Sequence, residues 1–441
     1  MPSVILINTP LTREVVAENE QYLPPMGLGY IKTSLDEFHI ETKLVDSLYE
    51  ELSLSDITEL ILQTRPDFVG LNVFTPNMEI VKELITEIPA SIEIILGAQI
   101  MKSVYREFAD WNKKHKLHIV IGEGELIIPD IVLKAVKEKP IFETELCKVY
   151  NVTKNSVYFP NNLSLVRLNR EIFKDRNMIN HFGMEEACMI SSRGCIYQCA
   201  FCGAANARNR DTMWRARDNQ DIIEEINEIQ AFTPNVSCIR MLDDLFLRDR
   251  KSIENAMNIF SKVNLKWRAM AHALSFKGNE QVFYEMKKNG CLELFIGIES
   301  GSDKIRKQIH KKGTVEYVYS IILDMLKSGI FVKGYFMYGF PDETEEDMLK
   351  TFQLAKRIHY SAKSLKGSFR NSTFQFRPYH GTELYCKIER EGNIKKDFLK
   401  DKNLESWVGR QQFNIISGNY SACSQEKIDY YINKTLQLNG E

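Results

Sequence analysis

The chain lacks the features that mark membrane, secreted and nucleic-acid-binding proteins. No apolar run approaches the ~18 residues that span a bilayer, and the opening MPSVILINTP has no basic segment typical of a secretory signal peptide. The 57 basic and 59 acidic residues give a formal net charge of -2, so no positive field dominates that would neutralise nucleic-acid phosphates. We therefore expect a cytoplasmic protein with no membrane span and no clear nucleic-acid partner.

Paired cysteines are also missing from most of the sequence. Six of the nine cysteines stand singly along the chain: Cys147, Cys188, Cys238, Cys291, Cys386 and Cys423. This pattern excludes the disulfide framework of small secreted domains, and we interpret the six as structural or incidental thiols. We therefore expect the protein to reside in a reducing compartment, in which an oxygen-sensitive metal cluster would survive.

The remaining three cysteines lie within eight residues of one another. Cys195, Cys199 and Cys202 occur in the run SSRGCIYQCAFCG, shortly after the apolar stretch ACMI. Thiolates bind iron–sulfur clusters, zinc and copper(I), and a closed site normally takes four protein ligands. Three ligands leave a metal position open to a substrate or cosubstrate, which favours a reactive centre. An incomplete zinc site or a group of buried thiols is the alternative.

The first third of the chain alternates short apolar runs with helical stretches. We predict strands over residues 3–8, 43–46, 67–74, 93–97 and 118–125, the last of the series, and helices over 26–37, 55–63 and 78–88. Such alternation predicts a Rossmann-like α/β domain with a doubly wound parallel sheet. Ligands of these sheets bind beyond the carboxyl ends of the strands. The glycines in those loops either admit a ligand close to the backbone or simply make tight turns.

The alternation resumes after a polar segment without clean periodicity. We predict strands over 187–193, 237–242, 267–273, 292–300, 332–340 and 373–379, with helices over 219–231, 279–290 and 343–358 between them. Six βα units of this kind predict an open, partial parallel barrel. Reactive groups of barrels lie at the carboxyl ends of the strands, and the cysteine loop occupies that position after the first strand.

Several of these motifs resemble those of radical S-adenosylmethionine (SAM) enzymes. They are the CxxxCxxC run, GIESGSD (297–303), GYFMYGFPDET (334–344) and RPYHGTELY (377–385). The resemblance implies a 4Fe-4S cluster held by Cys195, Cys199 and Cys202, with SAM on its open iron. It further implies that SAM is contacted by Phe201, Gly203, Asp243, Glu299, Ser300 and Gly339.

The N-terminal order PPMGLGYI, VDS, PDFVGLNVFT, ILGA and GEGE resembles the cobalamin (B12)-binding-type domain that precedes the barrel in one group of radical SAM enzymes. The resemblance implies cobalamin contacts from Thr9, Asp46, Thr75, Gly97, Gly122 and Glu123. Two departures are evident. Leu48 stands where cobalt-ligating relatives carry a histidine, and Ala98 replaces the second glycine of a pair. A further difference lies in the barrel segment RPYHGTELY, where His380 stands at a place that proline more often occupies. His380 would be a titratable group near the substrate or a surface histidine.

Four regions are predicted: a cobalamin-binding-like domain over 1–140, a connector over 141–182, a partial (β/α)6 barrel over 183–385 and a small C-terminal region over 386–441. In the last region we expect an edge strand over 406–414 and a helix over 425–440. Trp407, Phe413 and Tyr420 would belong to the hydrophobic core or to one wall of the substrate cavity.

The resemblance implies a 5′-deoxyadenosyl radical used for cobalamin-dependent methylation of an unactivated carbon. A corrinoid-independent dehydration, decarboxylation, epimerisation or cyclisation is the first alternative, and a noncatalytic iron–sulfur protein is the second. The expected partners are a small-molecule or peptide substrate and a reducing electron donor such as flavodoxin or ferredoxin.

Overall fold

The computed structural model describes residues 2–10, 22–278, 281–394 and 418–440. Within these ranges, no helix combines the length and the apolar character needed to cross a membrane. The chain forms two compact units. Unit 1 comprises Met1–Met178, Arg208–Arg215 and Tyr379–Ile415, and unit 2 comprises Ile179–Ala207, Ala216–Pro378 and Ile416–Glu441.

Unit 1 is built on a seven-stranded sheet of order β2-β1-β3-β4-β5-β7-β6. Its strands are β1 (Ser3–Asn8), β2 (Glu41–Asp46), β3 (Phe68–Asn72), β4 (Glu93–Gly97), β5 (Leu117–Gly122), β6 (Phe142–Glu143) and β7 (Cys147–Val152). The sheet is parallel except for β6, which is antiparallel to β7. The helices are α1 (Met26–Glu37), α2 (Leu54–Thr64), α3 (Met78–Glu87), α4 (Met101–Trp111) and α5 (Ile128–Val132), and α12 (Glu383–Arg390) also belongs to this unit.

Alternate residues of the central strands enter two separate apolar cores. Ile5 and Ile7 of β1 belong to one core, whereas Val4 and Leu6 belong to the other. Because successive side chains of a strand point to opposite faces, both faces of the sheet are covered. The predicted doubly wound arrangement is confirmed.

The prediction that residues 118–125 form the last strand of this sheet is wrong. β7 pairs in parallel with the whole of β5, and β6 adds a two-residue edge. The sequence of β7, CKVYNV, places exposed Lys148 and half-buried Asn151 among its apolar residues. These polar side chains interrupt the apolar run that a central parallel strand normally shows, which is why the strand was missed.

Unit 2 contains a curled sheet in which six parallel strands follow the order β16-β15-β14-β13-β12-β9. These strands are β9 (Glu185–Met189), β12 (Cys238–Met241), β13 (Lys266–Ala271), β14 (Cys291–Glu299), β15 (Phe331–Tyr338) and β16 (Phe369–Gln375). Three short strands lie outside this series: β8 (Met178–Ile179), β10 (Ser192–Arg193) and β11 (Arg215–Ala216). The predicted partial barrel is confirmed, but its sixth strand begins four residues earlier than expected, since Arg370 and Asn371 interrupt the apolar pattern.

The helices of unit 2 cover the convex face of the curled sheet. They are α6 (Asn219–Phe232), α7 (Arg250–Ser261), α8 (Val282–Lys288), α9 (Asp303–Gln308), α10 (Val315–Lys327), α11 (Glu345–Ala362) and α13 (Gln425–Gln437). The longest, α11, begins at a capping box in which Thr344 and Asp347 accept each other's backbone N–H groups. Strand residues such as Ile239, Leu294 and Val332 pack with these helices in one core.

The C-terminal helix agrees with the sequence prediction, since α13 begins at Gln425 after the capping residue Ser424. The ring of Tyr420 lies 6.0 Å from that of Phe376, centroid to centroid. The expected edge strand over 406–414, with Trp407 and Phe413, lies outside the described residues.

The backbone is strained at the carboxyl end of β4. Ala98 has a φ of +97°, a conformation that glycine adopts freely and that costs an L-residue about 1–2 kcal/mol. The methyl group of Ala98 therefore replaces a glycine at a position where the backbone favours glycine.

We expect Ala98→Gly to stabilise the protein, because relief of the strain outweighs the extra entropy that glycine gives the unfolded chain. The expected gain is about 1 kcal/mol, read from the urea midpoint of unfolding. Ala109→Gly, within α4, is the matched control and should lose about 1 kcal/mol. An Ala98→Gly protein that loses as much stability as the control would contradict the assignment of strain.

Candidate cofactor site

The three clustered cysteines lie on one loop after β9. Cys199 is buried, whereas Cys195 and Cys202 are half-buried. The N–H of Tyr197 donates to the sulfur of Cys195 over 3.5 Å. Burial raises the pKa of all three thiols, that of Cys202 to about 12. The negative charges of neighbouring cysteines add to this effect at Cys195 and Cys202, and the charge of Glu299 adds to it at Cys199. The structure therefore brings the three sulfurs within electrostatic reach of one another.

The donor set is compatible with an iron–sulfur cluster. A coordinating thiol is deprotonated outright, so a bound metal would replace the protons that burial holds on these thiols. In the described ranges no three Cys, His, Asp or Glu side chains lie close enough together to hold a single metal ion. Ligation by Cys195, Cys199 and Cys202 accordingly stays a prediction that the placement of the loop supports.

A buried ion pair lies at the carboxyl end of β14. Lys311 Nζ is 2.9 Å from Glu299 Oε1, and both side chains are less than 10% exposed. Although burial favours the neutral amine, the charges of Glu299 and Cys199 raise the pKa of Lys311. Lys311 thus connects Glu299, which is predicted to contact SAM, to the electrostatic field of the cysteine loop.

The backbone around this ion pair is specialised. Glu299 has a φ of +65°, and the pairing of β14 with β15 is irregular between Gly297 and Glu299. A Cβ at Gly297 would clash with the Glu299 carboxylate and lie 2.6 Å from Lys311 Nζ. Arg306, 1% exposed, donates to the carbonyls of Ile298, Lys312 and Gly313. Strained backbone conformations of this kind cluster at active sites and ligand-binding sites.

The two aspartates that follow β12 have different environments. Asp243 is buried and accepts hydrogen bonds from the Ser191 N–H (3.1 Å), the Ser191 hydroxyl (2.7 Å) and the Ser192 hydroxyl. Its carboxylate therefore holds the strand ends together. Asp244 keeps an accessible surface, but the surrounding protein displaces enough water to raise its pKa, and its charge raises the pKa of Cys195 and Cys202. Of the two, Asp244 faces the cysteine loop.

The other predicted SAM residues occupy different settings. Phe201 is half-buried, with its ring 5.8 Å from that of Phe340, and Gly203 is half-buried in the turn after the third cysteine. Ser300 is fully buried, its hydroxyl 3.1 Å from that of Thr351 on α11 and accepting the Ser302 N–H. The Ser300 hydroxyl is therefore already hydrogen-bonded within the protein.

Gly339 begins a tight turn after β15. Its φ is +89°, and its N–H donates to Glu343 Oε2 over 2.5 Å, as the Phe340 N–H does over 3.2 Å. Glu343 is completely buried, and its other carboxylate oxygen has no hydrogen-bond partner in the described structure. Burial raises the pKa of Glu343 to about 8. Glu343 thus holds the turn at Gly339 in place.

Several residues near the cysteines were missed by the sequence analysis. Lys311 stands in the polar run HKKG, which is typical of a solvated surface loop. His272 follows β13, and its ring stacks on that of Tyr197 at 4.0 Å. Burial and the nearby charges of Lys311 and Arg306 lower the pKa of His272 to about 2, so it is a neutral imidazole. Motif spacing alone gave no signal for either residue.

In unit 1, Asp46 is completely buried within a polar network. It accepts from Asn8 Nδ2 over 2.7 Å, pairs with Arg176 Nη1 over 3.1 Å and accepts from the Tyr22 hydroxyl. Burial and the charge of Asp46 raise the pKa of Tyr22. The Asp46 carboxylate therefore orders the carboxyl ends of β1 and β2.

Thr9 and Thr75 lie at the carboxyl ends of β1 and β3. Both are buried, and the Thr9 N–H donates to Asn72 over 2.7 Å. The Thr75 hydroxyl lies 3.1 Å from Nδ1 of His380, whose ring packs on Tyr385 at 4.5 Å. His380 is half-buried at the carboxyl end of β3, and its place in unit 1 was not foreseen.

The remaining predicted cobalamin residues lie on the loops after β4 and β5. A Cβ at Gly97 would meet no described atom within 4 Å, so space is open there. Gly122 has a φ of +94°, and a Cβ there would collide with the Val152 carbonyl of β7. Glu123 forms an ion pair with Arg215, which also donates to the Pro160 carbonyl over 2.6 Å. Gly122 and Glu123 therefore have structural partners within unit 1.

Comparisons with protein families find a match for two segments of the chain. Residues 189–355 match the Radical SAM superfamily model, and residues 12–132 match the B12 binding domain. An uncharacterized methyltransferase from Pyrococcus horikoshii is 27% identical over 82% of this chain and 78% of its own length. Cytidylyl-2-hydroxyethylphosphonate methyltransferase from Streptomyces wedmorensis is 21% identical over 84% of this chain and 78% of its own length.

Solved structures share the fold. The apo form of OxsB, a cobalamin-dependent SAM radical enzyme, superposes with a TM-score of 0.68 at 15% identity, covering 98% of this chain. This chain spans 65% of the length of that OxsB chain. TsrM from Kitasatospora setae, a radical SAM methyltransferase, gives a TM-score of 0.63 at 15% identity over 89% of this chain and 76% of the TsrM chain.

We predict that Lys311→Met lowers the stability of the protein by about 3–5 kcal/mol, because it leaves the Glu299 carboxylate buried without its cation. The double variant Glu299→Gln/Lys311→Met should recover much of the loss. Lys427→Met is the control, since Lys427 and Glu345 form an exposed pair at 2.6 Å worth about 0–1 kcal/mol. If urea unfolding shows that Lys311→Met and Lys427→Met lose equal free energies of unfolding, the stabilising coupling between Lys311 and Glu299 is disproved.

A second prediction concerns Glu343 and pH. The folded protein keeps this proton up to about pH 8, whereas an unfolded chain releases it near pH ~4.3. Stability contributed by the protonated group is complete at low pH and is lost as the pH rises to about 8. We expect the melting temperature of Glu343→Gln to exceed that of the unmodified protein by more at about pH 8 than at about pH 5.

Glu346→Gln, which changes an exposed glutamate of α11, is the control and should show no such divergence. If the difference in melting temperature between the Glu343→Gln and unmodified proteins stays constant with pH, Glu343 is ionised in the folded state.

Proposed function

Because the chain is a radical SAM enzyme with an N-terminal B12-binding domain, we propose that it transfers a methyl group to an unactivated carbon of a small-molecule or peptide substrate. The observation that carries the proposal is the presence in one chain of a doubly wound sheet and of a cysteine loop at the carboxyl end of the first barrel strand. The methyltransferase names of the two relatives support the same reaction.

When bound, the cluster and SAM supply a 5′-deoxyadenosyl radical, and cobalamin supplies a methyl carrier. Cys195, Cys199 and Cys202 would hold the cluster. Glu299, fixed by Lys311, would accept hydrogen bonds from the amino group or ribose of SAM. Rigid placement matters here, because a site performs its chemistry only when its groups are positioned in advance.

Water exclusion is a second contribution of the chain. The rings of Phe201, Phe340 and Phe376 form a row, with Phe340 5.8 Å and 5.2 Å from its two neighbours. The neutral ring of His272 stacks on Tyr197 of the cysteine loop. Apolar and uncharged surfaces of this kind keep water away from reactive species.

The loops of unit 1 would hold cobalamin without an imidazole from the loop after β2. Leu48 occupies the place of the cobalt-ligating histidine, and Asp46 is already engaged by Asn8, Tyr22 and Arg176. The open space at Gly97 suits the close approach of a ligand to the backbone. Thr9 and Thr75 lie at the switch point between β1 and β3, where doubly wound sheets bind ligands.

A corrinoid-independent radical reaction is the second candidate. It is favoured by the engaged Asp46 carboxylate and by the methyl group of Ala98, which occupies a position suited to glycine. Dehydration, decarboxylation, epimerisation and cyclisation all begin with the same radical. The family matches favour either reaction over a noncatalytic iron–sulfur protein.

Both candidates need a reductant, and a flavodoxin or ferredoxin in the cytoplasm would serve. We predict that the anoxically reconstituted chain with dithionite, hydroxocobalamin and methyl-labelled SAM forms 5′-deoxyadenosine. In the presence of a small-molecule extract of the source organism, label should enter a product. Alanine variants of Cys195, Cys199 and Cys202 should each lose the cluster absorption and 5′-deoxyadenosine formation, because each removes one of only three ligands.

Cys386→Ala is the control, since Cys386 lies on α12, away from the cysteine loop in sequence and in unit 1. Formation of 5′-deoxyadenosine with no corrinoid retained on gel filtration and no label in any product would replace methyl transfer by the second candidate. Retention of the cluster in all three cysteine variants would contradict both.

A further inference from the structure

The concave face of the curled sheet carries an arginine that has no acidic partner among the described residues. In β12, Ile239 and Met241 belong to the core beneath the helices, so Cys238 and Arg240 point to the opposite, concave face. Two contacts agree with this. The Cys238 sulfur lies 3.3 Å from Glu186 Oε2, and the Arg240 guanidinium carbon lies 5.2 Å from the centre of the Phe295 ring.

The carboxylates on this face are used by two other arginines. Arg268, fully buried, donates to Glu186 over 2.8 and 2.9 Å and to Glu293 over 2.7 and 2.9 Å. Arg370 donates to both oxygens of Glu293 over 2.7 and 2.9 Å. Although burial opposes ionisation, the hydrogen bonds and charge of Arg370, with the charge of Arg268, hold the pKa of Glu293 below its usual range. Both carboxylates are therefore fully engaged.

Arg240 has no share in this network. Within the described parts of the chain it forms neither a hydrogen bond nor an ion pair, although it is half-buried. Its partner in the register on β13 is Arg268, another cation. An unpaired charge removed from water costs free energy, and like charges side by side add to the cost. A ligand that brings a negative charge would repay both costs.

A series of aromatic rings begins at Phe295, the ring beside the Arg240 guanidinium. Phe295, Tyr335 and Phe374 form a series with centroid separations of 6.4 and 6.1 Å. Burial raises the pKa of Tyr335, and the positive charge of Arg240 opposes that effect, which places Arg240 close to the tyrosine. The ammonium of Lys333 lies 5.7 Å from the centre of the Tyr335 ring. The recess thus combines flat apolar walls with positive charge.

We propose that Arg240 binds an anionic group, a carboxylate or a phosphate, of the substrate on the concave face of unit 2. The guanidinium would form two parallel hydrogen bonds to the anion, as arginine does with carboxylates and phosphates. The aromatic series would hold the apolar or planar body of the same molecule. This assignment rests on the proposed function only in treating the concave face as the place of the substrate.

Two other roles for Arg240 make different predictions. As a purely structural side chain, held by its cation–π contact with Phe295, it would stabilise the fold and its removal would lower the melting temperature. As a ligand of the SAM carboxylate, its removal would abolish SAM binding. An anion site for the substrate requires neither effect.

Arginine modification tests the site without turnover. The anoxically reconstituted protein is treated with phenylglyoxal, and the labelled peptides are quantified by mass spectrometry. We expect Arg240 to react and the paired Arg268 to resist. Pyrophosphate or succinate, at about ten times its dissociation constant, should slow labelling of Arg240 about tenfold by occupancy. Protection by pyrophosphate alone would identify a phosphate site, and protection by succinate alone a carboxylate site.

Arg240→Gln provides the second measurement. This variant should melt at or above the temperature of the unmodified protein, retain labelled SAM in equilibrium dialysis and lose the thermal shift caused by the protective anion. Arg250→Gln, which removes an exposed arginine paired with Glu254, should keep that shift. The proposal is overturned if neither anion protects Arg240, if Arg240→Gln loses SAM binding, or if it melts clearly lower. Failure of methyl transfer would leave these readouts unaffected.

Discussion

The buried ion pair between Glu299 and Lys311 is the interaction on which the mouth of the barrel depends. It lies at an irregular, positive-φ end of β14, and the absence of a side chain at Gly297 makes room for it. The charge of Lys311 also reaches Cys199. One interaction therefore fixes the carboxylate that would face SAM and balances the negative charge that cluster ligation would bring to the cysteine loop.

Burial of charge also distinguishes the interior of the curled sheet from an ordinary barrel. Small parallel barrels fill their interior with branched apolar side chains, whereas this concave face carries Arg268, Arg370, Glu186 and Glu293 as an interlocked network. Because these four charged side chains are paired with one another, they form a rigid network on the concave face. Arg240 stands outside the pairing, which makes it the chemically distinctive group of that face.

The sequence was sufficient for the strands whose apolar residues are uninterrupted and for the motif residues at their ends. β1, β4 and β14 follow from apolar runs, and the position of the cysteine loop follows from strand order. β7 and the start of β16 escaped because polar side chains at sheet edges and on a charged concave face break the apolar pattern. Lys311 and Arg240 could not be found in this way, because their importance comes from partners distant in sequence. Asp243 was predicted to contact SAM, and its carboxylate accepts hydrogen bonds from Ser191 and Ser192. Only the fold shows that the charge of its neighbour Asp244 reaches the thiols of Cys195 and Cys202.

The central claim is that three cysteines hold a 4Fe-4S cluster with one iron free to bind SAM. Mössbauer spectroscopy of the anoxically reconstituted, ⁵⁷Fe-enriched protein tests it directly. The account predicts a cluster in which one iron differs from the other three, with a signal for that iron that shifts when SAM is added. A spectrum that shows no four-iron cluster, or one whose signals are unchanged by SAM because a fourth side chain already occupies the iron, would contradict the account.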